Sequence, residues 1–96
     1  MDLVRFNHKG LKRFYLEGNS RGIPAGMVDK VRKLLFALET AKNLEQVKRF
    51  PGWKLRPLRG ELEGVWSLTV TGNWRLTFRY EEETNTASDL NLVDYH

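Results

Sequence analysis

The sequence predicts an α+β fold, with two helices packed on one face of a mainly antiparallel sheet. Three observations carry this prediction. Apolar residues recur at helical spacing through the first half of the chain. After Gly60 the period changes from 3.6 to 2. One β-like segment stands ahead of the helices, so the sheet draws a strand from the very start of the chain.

Leu3, Val4 and Phe6 open the first strand, which ends near Asn7-His8. From Gly10, the residues Leu11, Phe14 and Tyr15 follow i, i+3, i+4 and mark one face of a helix that Gly18-Asn19-Ser20 stops. His8 is expected to cap or pack near this helix. Pro24 suits the first turn of a second helix, since its fixed φ and missing donor cost nothing there. Val28, Val31, Leu34, Leu35 and Leu38 form that helix's apolar stripe, with Lys30, Arg32, Lys33 and Lys42 off it. A short third helix from about Leu44 to Arg49 must end before Pro51-Gly52. Val65 to Val70 then alternates as a strand. Thr71-Gly72-Asn73 supplies turn chemistry, with Gly72 or Asn73 expected at positive φ. Trp74 to Tyr80 places Trp74, Leu76, Phe78 and Tyr80 on one face and Arg75, Thr77 and Arg79 on the other. An acidic loop follows, and Ala87 to Val93 forms the last strand.

At 96 residues the chain has the length of one domain, 1–96, with little room for insertions. A hydrophobic fraction of 41% against 29% charged residues argues against both a disordered and a membrane-spanning chain. The opening Met1-Asp2-Leu3-Val4-Arg5 does not read as a signal peptide, so a soluble cytoplasmic protein is expected. With no cysteine, disulfides, thiol nucleophiles and cysteine-based zinc sites are excluded. His8 and His96 lie at opposite ends, and neither a metal nor a cofactor is expected.

The charge is uneven. Residues 1–60 carry 14 Lys and Arg against 5 Asp and Glu, whereas residues 61–96 carry 2 against 7. Such a field favours a polyanion on one side of the molecule. In the run from Lys48 to Gly60, basic residues alternate with aromatics and prolines, so it is no helix face. Lys54 and Arg56 there suit a phosphate backbone. Trp53 reads either as a stacking platform for a base or as part of the core. Arg75 and Arg79 share a strand face and read either as solubility residues or as bidentate phosphate ligands. His96 reads as a frayed end or as a proton carrier matched to neutral pH. From residue types alone, the chain is a small basic α+β domain that binds nucleic acid.

Three segments carry a more specific likeness: Leu55-Arg56-Pro57-Leu58-Arg59-Gly60, Gly64 to Val70, and Gly72 to Phe78 with its Asn73-Trp74-Arg75 core. Together with the ending Val93-Asp94-Tyr95-His96 and the pieces His8 to Leu11 and Gly22 to Ala25, they resemble the HigB toxins of the RelE/ParE superfamily. The resemblance implies a RelE-like microbial ribonuclease fold with a curved sheet. It also implies an mRNA interferase that cuts messenger in the ribosomal A site, leaving a cyclic phosphate or 3′-phosphate and a 5′-hydroxyl. A HigA-type antitoxin would neutralise it, and operator DNA would be reached only through that antitoxin.

By the same resemblance, Arg59 stands where the family often has a lysine, Arg75 matches the arginine of the hairpin motif, and Tyr95 and His96 match the terminal pair. Arg59, Arg75, Tyr95 and His96 are therefore the expected catalytic set, with Arg56, Arg79, Lys54 and Trp53 as expected substrate contacts. Two positions depart from the pattern. Arg56 replaces a histidine common before Pro57, and Thr71 occupies a hairpin position where some members carry an arginine. The competing expectations are a poison of another target, such as gyrase, or an inactive partner that acts only in operator repression.

Overall fold

The computed structural model describes residues 1–95. Strand β1 (Asp2–Leu3) leads to helix α1 (Lys9–Glu17), helix α2 (Val28–Thr40) and helix α3 (Leu44–Lys48). Strands β2 (Arg56–Pro57), β3 (Val65–Thr69), β4 (Trp74–Glu81) and β5 (Thr86–Asp94) follow. The sheet runs β1-β5-β4-β3-β2, with β1 parallel to β5 and every other pair antiparallel. The helices cover one face, as the periodicities require.

Each helix end has an identifiable cause. His8 caps α1 by accepting the Leu11 N–H on Nδ1 at 2.9 Å, which leaves the imidazole neutral with its proton on Nε2. Burial pushes the His8 pKa down, in keeping with that neutral form. Gly18 closes α1 at φ 72°, a left-handed geometry that glycine adopts without strain. Asn43 caps α3 by accepting the Gln46 N–H, and the Gln46 side chain in turn accepts the Lys42 N–H. The Met1 ammonium donates to the carbonyls of Leu38, Glu39 and Ala41, a cation at the negative end of α2.

Leu11, Phe14, Val31, Leu34, Leu35 and Leu38 from the helices meet Leu68, Leu76, Phe78, Leu90 and Leu92 from the sheet in one buried core. Each such side chain contributes about 1.5–3 kcal/mol by leaving water. The approach of α1 to the segment before α2 depends on two glycines. A Cβ on Gly22 would lie 2.4 Å from the Gly10 Cα, and one on Gly10 would lie 2.6 Å from the Gly22 carbonyl oxygen. Backbone meets backbone there, so neither position has room for a side chain.

The structure corrects four boundaries. The first strand is only Asp2–Leu3, continued by a single parallel bridge between Phe6 and Leu90. Pro24 introduces a 3₁₀ turn, Ala25–Met27, and α2 proper starts at Val28. Gly72 and Asn73 do not take positive φ. The longer loop closes instead through Val70 and Thr71 N–H bonds to the Trp74 carbonyl. Arg56–Pro57, in the run expected to be irregular, forms the edge strand β2, where proline's missing donor is tolerated.

Strand β5 carries one extra residue. The register passes from Thr77 opposite Asn91 to Arg79 opposite Ser88, with Asp89 in the left-handed region at φ 53°.

Candidate active site

The polar sheet face is set by register. Arg56 on β2 lies opposite Ser67 on β3, Ser67 opposite Thr77 on β4, and Thr77 opposite Asn91 on β5, so these four form one row. In the next row Thr69, Arg75 and Val93 stand side by side. Ser67 and Thr77 are buried, while Arg56 is exposed and Arg75 half-buried. The two rows, with Lys54 beyond the sheet edge, enclose a hollow of about 90 Å³ lined by Lys54, Arg56, Ser67, Thr69 and Arg75. That is well below the roughly 300–1,000 Å³ of a drug-sized ligand site. Three cations and two hydroxyls face the hollow, and no carboxylate lines it among the described residues.

Arg75 is held in place. Its Nη1 donates to the carbonyls of Thr71 at 2.8 Å, Trp74 at 3.0 Å and Gly72 at 3.2 Å, all in its own hairpin. The other edge of the guanidinium has no acceptor among the described residues and is available to an anion. The Tyr95 ring centroid lies 5.9 Å from the Arg75 guanidinium carbon, within cation–π range. Tyr95 is fixed in turn by its N–H, which donates to the Asn73 carbonyl at 2.6 Å. Thr71 therefore has a structural duty. Its carbonyl clamps Arg75, and its hydroxyl accepts the Trp74 N–H at 3.3 Å.

Lys54 takes φ 50° at the end of the 3₁₀ turn Pro51–Trp53, and that turn leads the chain into β2 and brings Lys54 beside Arg56.

Of the residues expected at the site, the structure brings Lys54, Arg56, Arg75 and Tyr95 together. Arg59 stands apart: two residues past Pro57, the end of β2, it lines a neighbouring hollow with Glu63, Gly64 and Trp66. Arg79 shares the polar face but is engaged elsewhere. Asp89 pairs with Arg5 and approaches Arg79 Nε at 3.6 Å, while Arg79 Nη1 donates to the Glu63 carbonyl at 3.4 Å. The Arg5 hydrogen bond holds the Asp89 carboxyl below its usual range.

Trp53 is not a free platform. It stacks on Phe50 at 4.0 Å with the Lys30 ammonium 5.4 Å above its ring, and it lines a groove along α2. His96 lies outside the described residues. Ser67 and Thr69 are site residues that the sequence did not single out; their alternation opposite Arg75 and Arg56 was the available signal. No cluster of three metal-ligating side chains occurs among the described residues, and no helix there is long and apolar enough to cross a membrane.

Comparison with known proteins agrees with this architecture. A family described as the RelE-like toxin of the type II toxin–antitoxin system HigB matches residues 4–96. The chain is 43% identical over 91 residues to Endoribonuclease HigB of Proteus vulgaris, covering 95% of this chain and 96% of that protein. Among solved structures, the YoeB–YefM complex from Staphylococcus aureus matches with a TM-score of 0.57 at 20% identity, over 100% of this chain and 97% of the other. A YoeB/ParE toxin from Agrobacterium tumefaciens matches with a TM-score of 0.54 at 21% identity, over 100% and 99%. Those two likenesses establish the fold, and the family match over nearly the whole sequence establishes more: the chain belongs to the HigB-like family of RelE-like toxins of type II toxin–antitoxin systems.

Proposed function

We propose that the chain is the endoribonuclease of its toxin–antitoxin pair, cutting messenger on the ribosome in the cytoplasm and neutralised by a HigA-type antitoxin. The observation that carries this reading is the hollow where Lys54, Arg56 and the clamped Arg75 meet, with no carboxylate among its described lining residues and with Tyr95 against Arg75.

Metal-free cleavage of RNA needs three things. The ribose 2′-hydroxyl loses its proton and attacks the adjacent phosphorus. The phosphorane that forms bears an additional negative charge. The 5′-oxygen then leaves with a proton, giving a 2′,3′-cyclic phosphate and a 5′-hydroxyl. The hollow is suited to the second requirement. Arg75 is fastened along one edge before substrate arrives, so it pays little reorganisation cost as charge develops. Its free edge can bond two phosphate oxygens in parallel. Arg56 and Lys54, exposed and without a clamp among the described residues of the kind that holds Arg75, suit ground-state attraction of the backbone.

The first and third requirements need a proton carrier, and among the described residues neither a histidine nor a carboxylate lines the hollow. We assign these steps to His96, adjacent in sequence to Tyr95, with the Tyr95 hydroxyl orienting the leaving group or a base. Arg59, at the neighbouring hollow, and Arg79, farther along β4 from Arg75, are assigned to guiding the RNA strand.

The test is 5′-end mapping of cellular messages after induction of the chain, compared with Arg75→Ala and His96→Ala. Discrete cuts inside translated codons are expected with the parent and are lost in both variants. Growth arrest with intact messages would overturn the nuclease reading, and DNA-damage signalling in its place would point to a gyrase poison.

A further inference from the structure

A groove of about 570 Å³ runs between α2 and the segment formed by α3 and the 3₁₀ turn after it. Phe36, Ala37 and Thr40 form one wall, and Arg49, Phe50 and Trp53 form the other. Phe36 is 67% exposed and Phe50 45% exposed, large apolar surfaces left in water. The small side chain of Ala37 leaves the depth between them.

The polar groups at the groove are already satisfied. The Thr40 hydroxyl donates to the Phe36 carbonyl at 2.9 Å, and the Gln46 side-chain oxygen accepts the Lys42 N–H at 2.8 Å. What remains is positive charge. Among the described residues Lys33 and Arg49 border the groove with no carboxylate partner, and no carboxylate lines it. By contrast, the neighbouring cations Arg32 and Lys48 are paired with Asp29 and Glu45.

We infer that this groove receives an amphipathic helix with acidic flanks, supplied by the protein antitoxin. The inference rests on the toxin–antitoxin reading of the chain. The Phe50 and Trp53 rings stack on each other with Lys30 over Trp53, which engages ring surface that a base would stack on, whereas a helix presents two large apolar side chains one turn apart to such a slot. Residues 33, 36, 37 and 40 of α2 span about two turns, or roughly 10 Å, room for two anchors. Acidic residues beside the anchors would then meet Lys33 and Arg49.

The experiment measures affinity between the purified chain and its HigA-type antitoxin protein, by calorimetry at two salt concentrations. Ala37→Trp plugs the slot, Phe36→Asp opposes the anchor, and Lys33→Glu with Arg49→Glu reverses the rim. Leu16→Asp, at an exposed apolar position on α1 outside the groove, is the control. Ala37→Trp and Phe36→Asp are expected to weaken binding at least thirtyfold. The rim reversal is expected to weaken it at least tenfold and to flatten its salt dependence. Leu16→Asp stays at parental affinity, and ribosome-dependent cleavage by the free chain stays parental in every variant.

Parental affinity in both Ala37→Trp and the rim reversal would overturn the inference. So would a parent chain that binds no antitoxin, or variants that keep the antitoxin but lose cleavage, which would give the groove to the ribosome. A parent that binds antitoxin through the groove yet leaves messages whole would sink the nuclease reading alone.

Discussion

Replacing Arg75 by lysine keeps the positive charge and removes the fork, and so separates fixed geometry from mere attraction. In the parent, Nη1 is bonded to three hairpin carbonyls while Arg75 also lines the hollow, the rest of its guanidinium having no acceptor among the described residues. An ammonium is a single point. If it stays with the carbonyls it withdraws from the hollow, and if it enters the hollow it abandons the clamp. Loss of one preorganised donor to a developing charge costs about 10²–10³ in turnover, or about 3–4 kcal/mol. Arg75→Lys is expected near the lower end and Arg75→Ala near the upper. Each lost bond to a carbonyl also weakens the hairpin by about 1 kcal/mol, since all three are partly hydrated. Single-turnover cleavage of messenger on programmed ribosomes measures the first effect and chemical denaturation the second. Arg56→Ala, removing an exposed and unclamped cation, is expected to raise the KM more than it lowers kcat. Cleavage by Arg75→Lys within threefold of the parent would refute the claim that the clamp matters.

Gly22→Ala forces a methyl group into the Gly10 backbone, and overpacking of this kind costs about 1–3 kcal/mol, read as a lower urea midpoint at unchanged slope. The His8 cap requires a neutral ring, and its pKa in the folded chain lies below the unfolded value of 6.5. Stability is therefore full above pH 6.5 and declines as pH falls from there toward the folded value; His8→Asn, which caps without titrating, should abolish that slope. Asp89 occupies the left-handed region at the β5 bulge, so Asp89→Asn should be tolerated, whereas Asp89→Val should lose about 1–2 kcal/mol more by thermal denaturation.

The parts of the fold that declare themselves in sequence are those whose burial is periodic. The Val31-Leu34-Leu35-Leu38 stripe and the alternation through Leu76 and Phe78 answer directly to the core they fill. The parts that do not are set by distant partners. Arg56–Pro57 is a strand only because β3 offers it an edge, and no local signal distinguishes it from the basic loop around it. The β5 bulge contains no glycine, and Asp89 holds its unusual conformation with ion-pair support from Arg5. At the site, Arg75 and Arg56 were identifiable as cations, but their convergence depends on the β2–β3–β4 register. The same register explains why Arg59, past the end of β2, falls into the next hollow. Trp53 could be read either way from its residue type, and the structure stacks it on Phe50 at the groove beside α2.

One phosphate is expected to bind between Arg75, Arg56 and Lys54. NMR of the arginine side-chain Nε–H groups, while a short RNA blocked by 2′-O-methylation is titrated in, follows this binding residue by residue. The Arg75 and Arg56 signals are expected to shift first and together, with Arg5 unmoved. An Arg75 signal that stays in place while Arg59 or Arg79 saturates would contradict that binding.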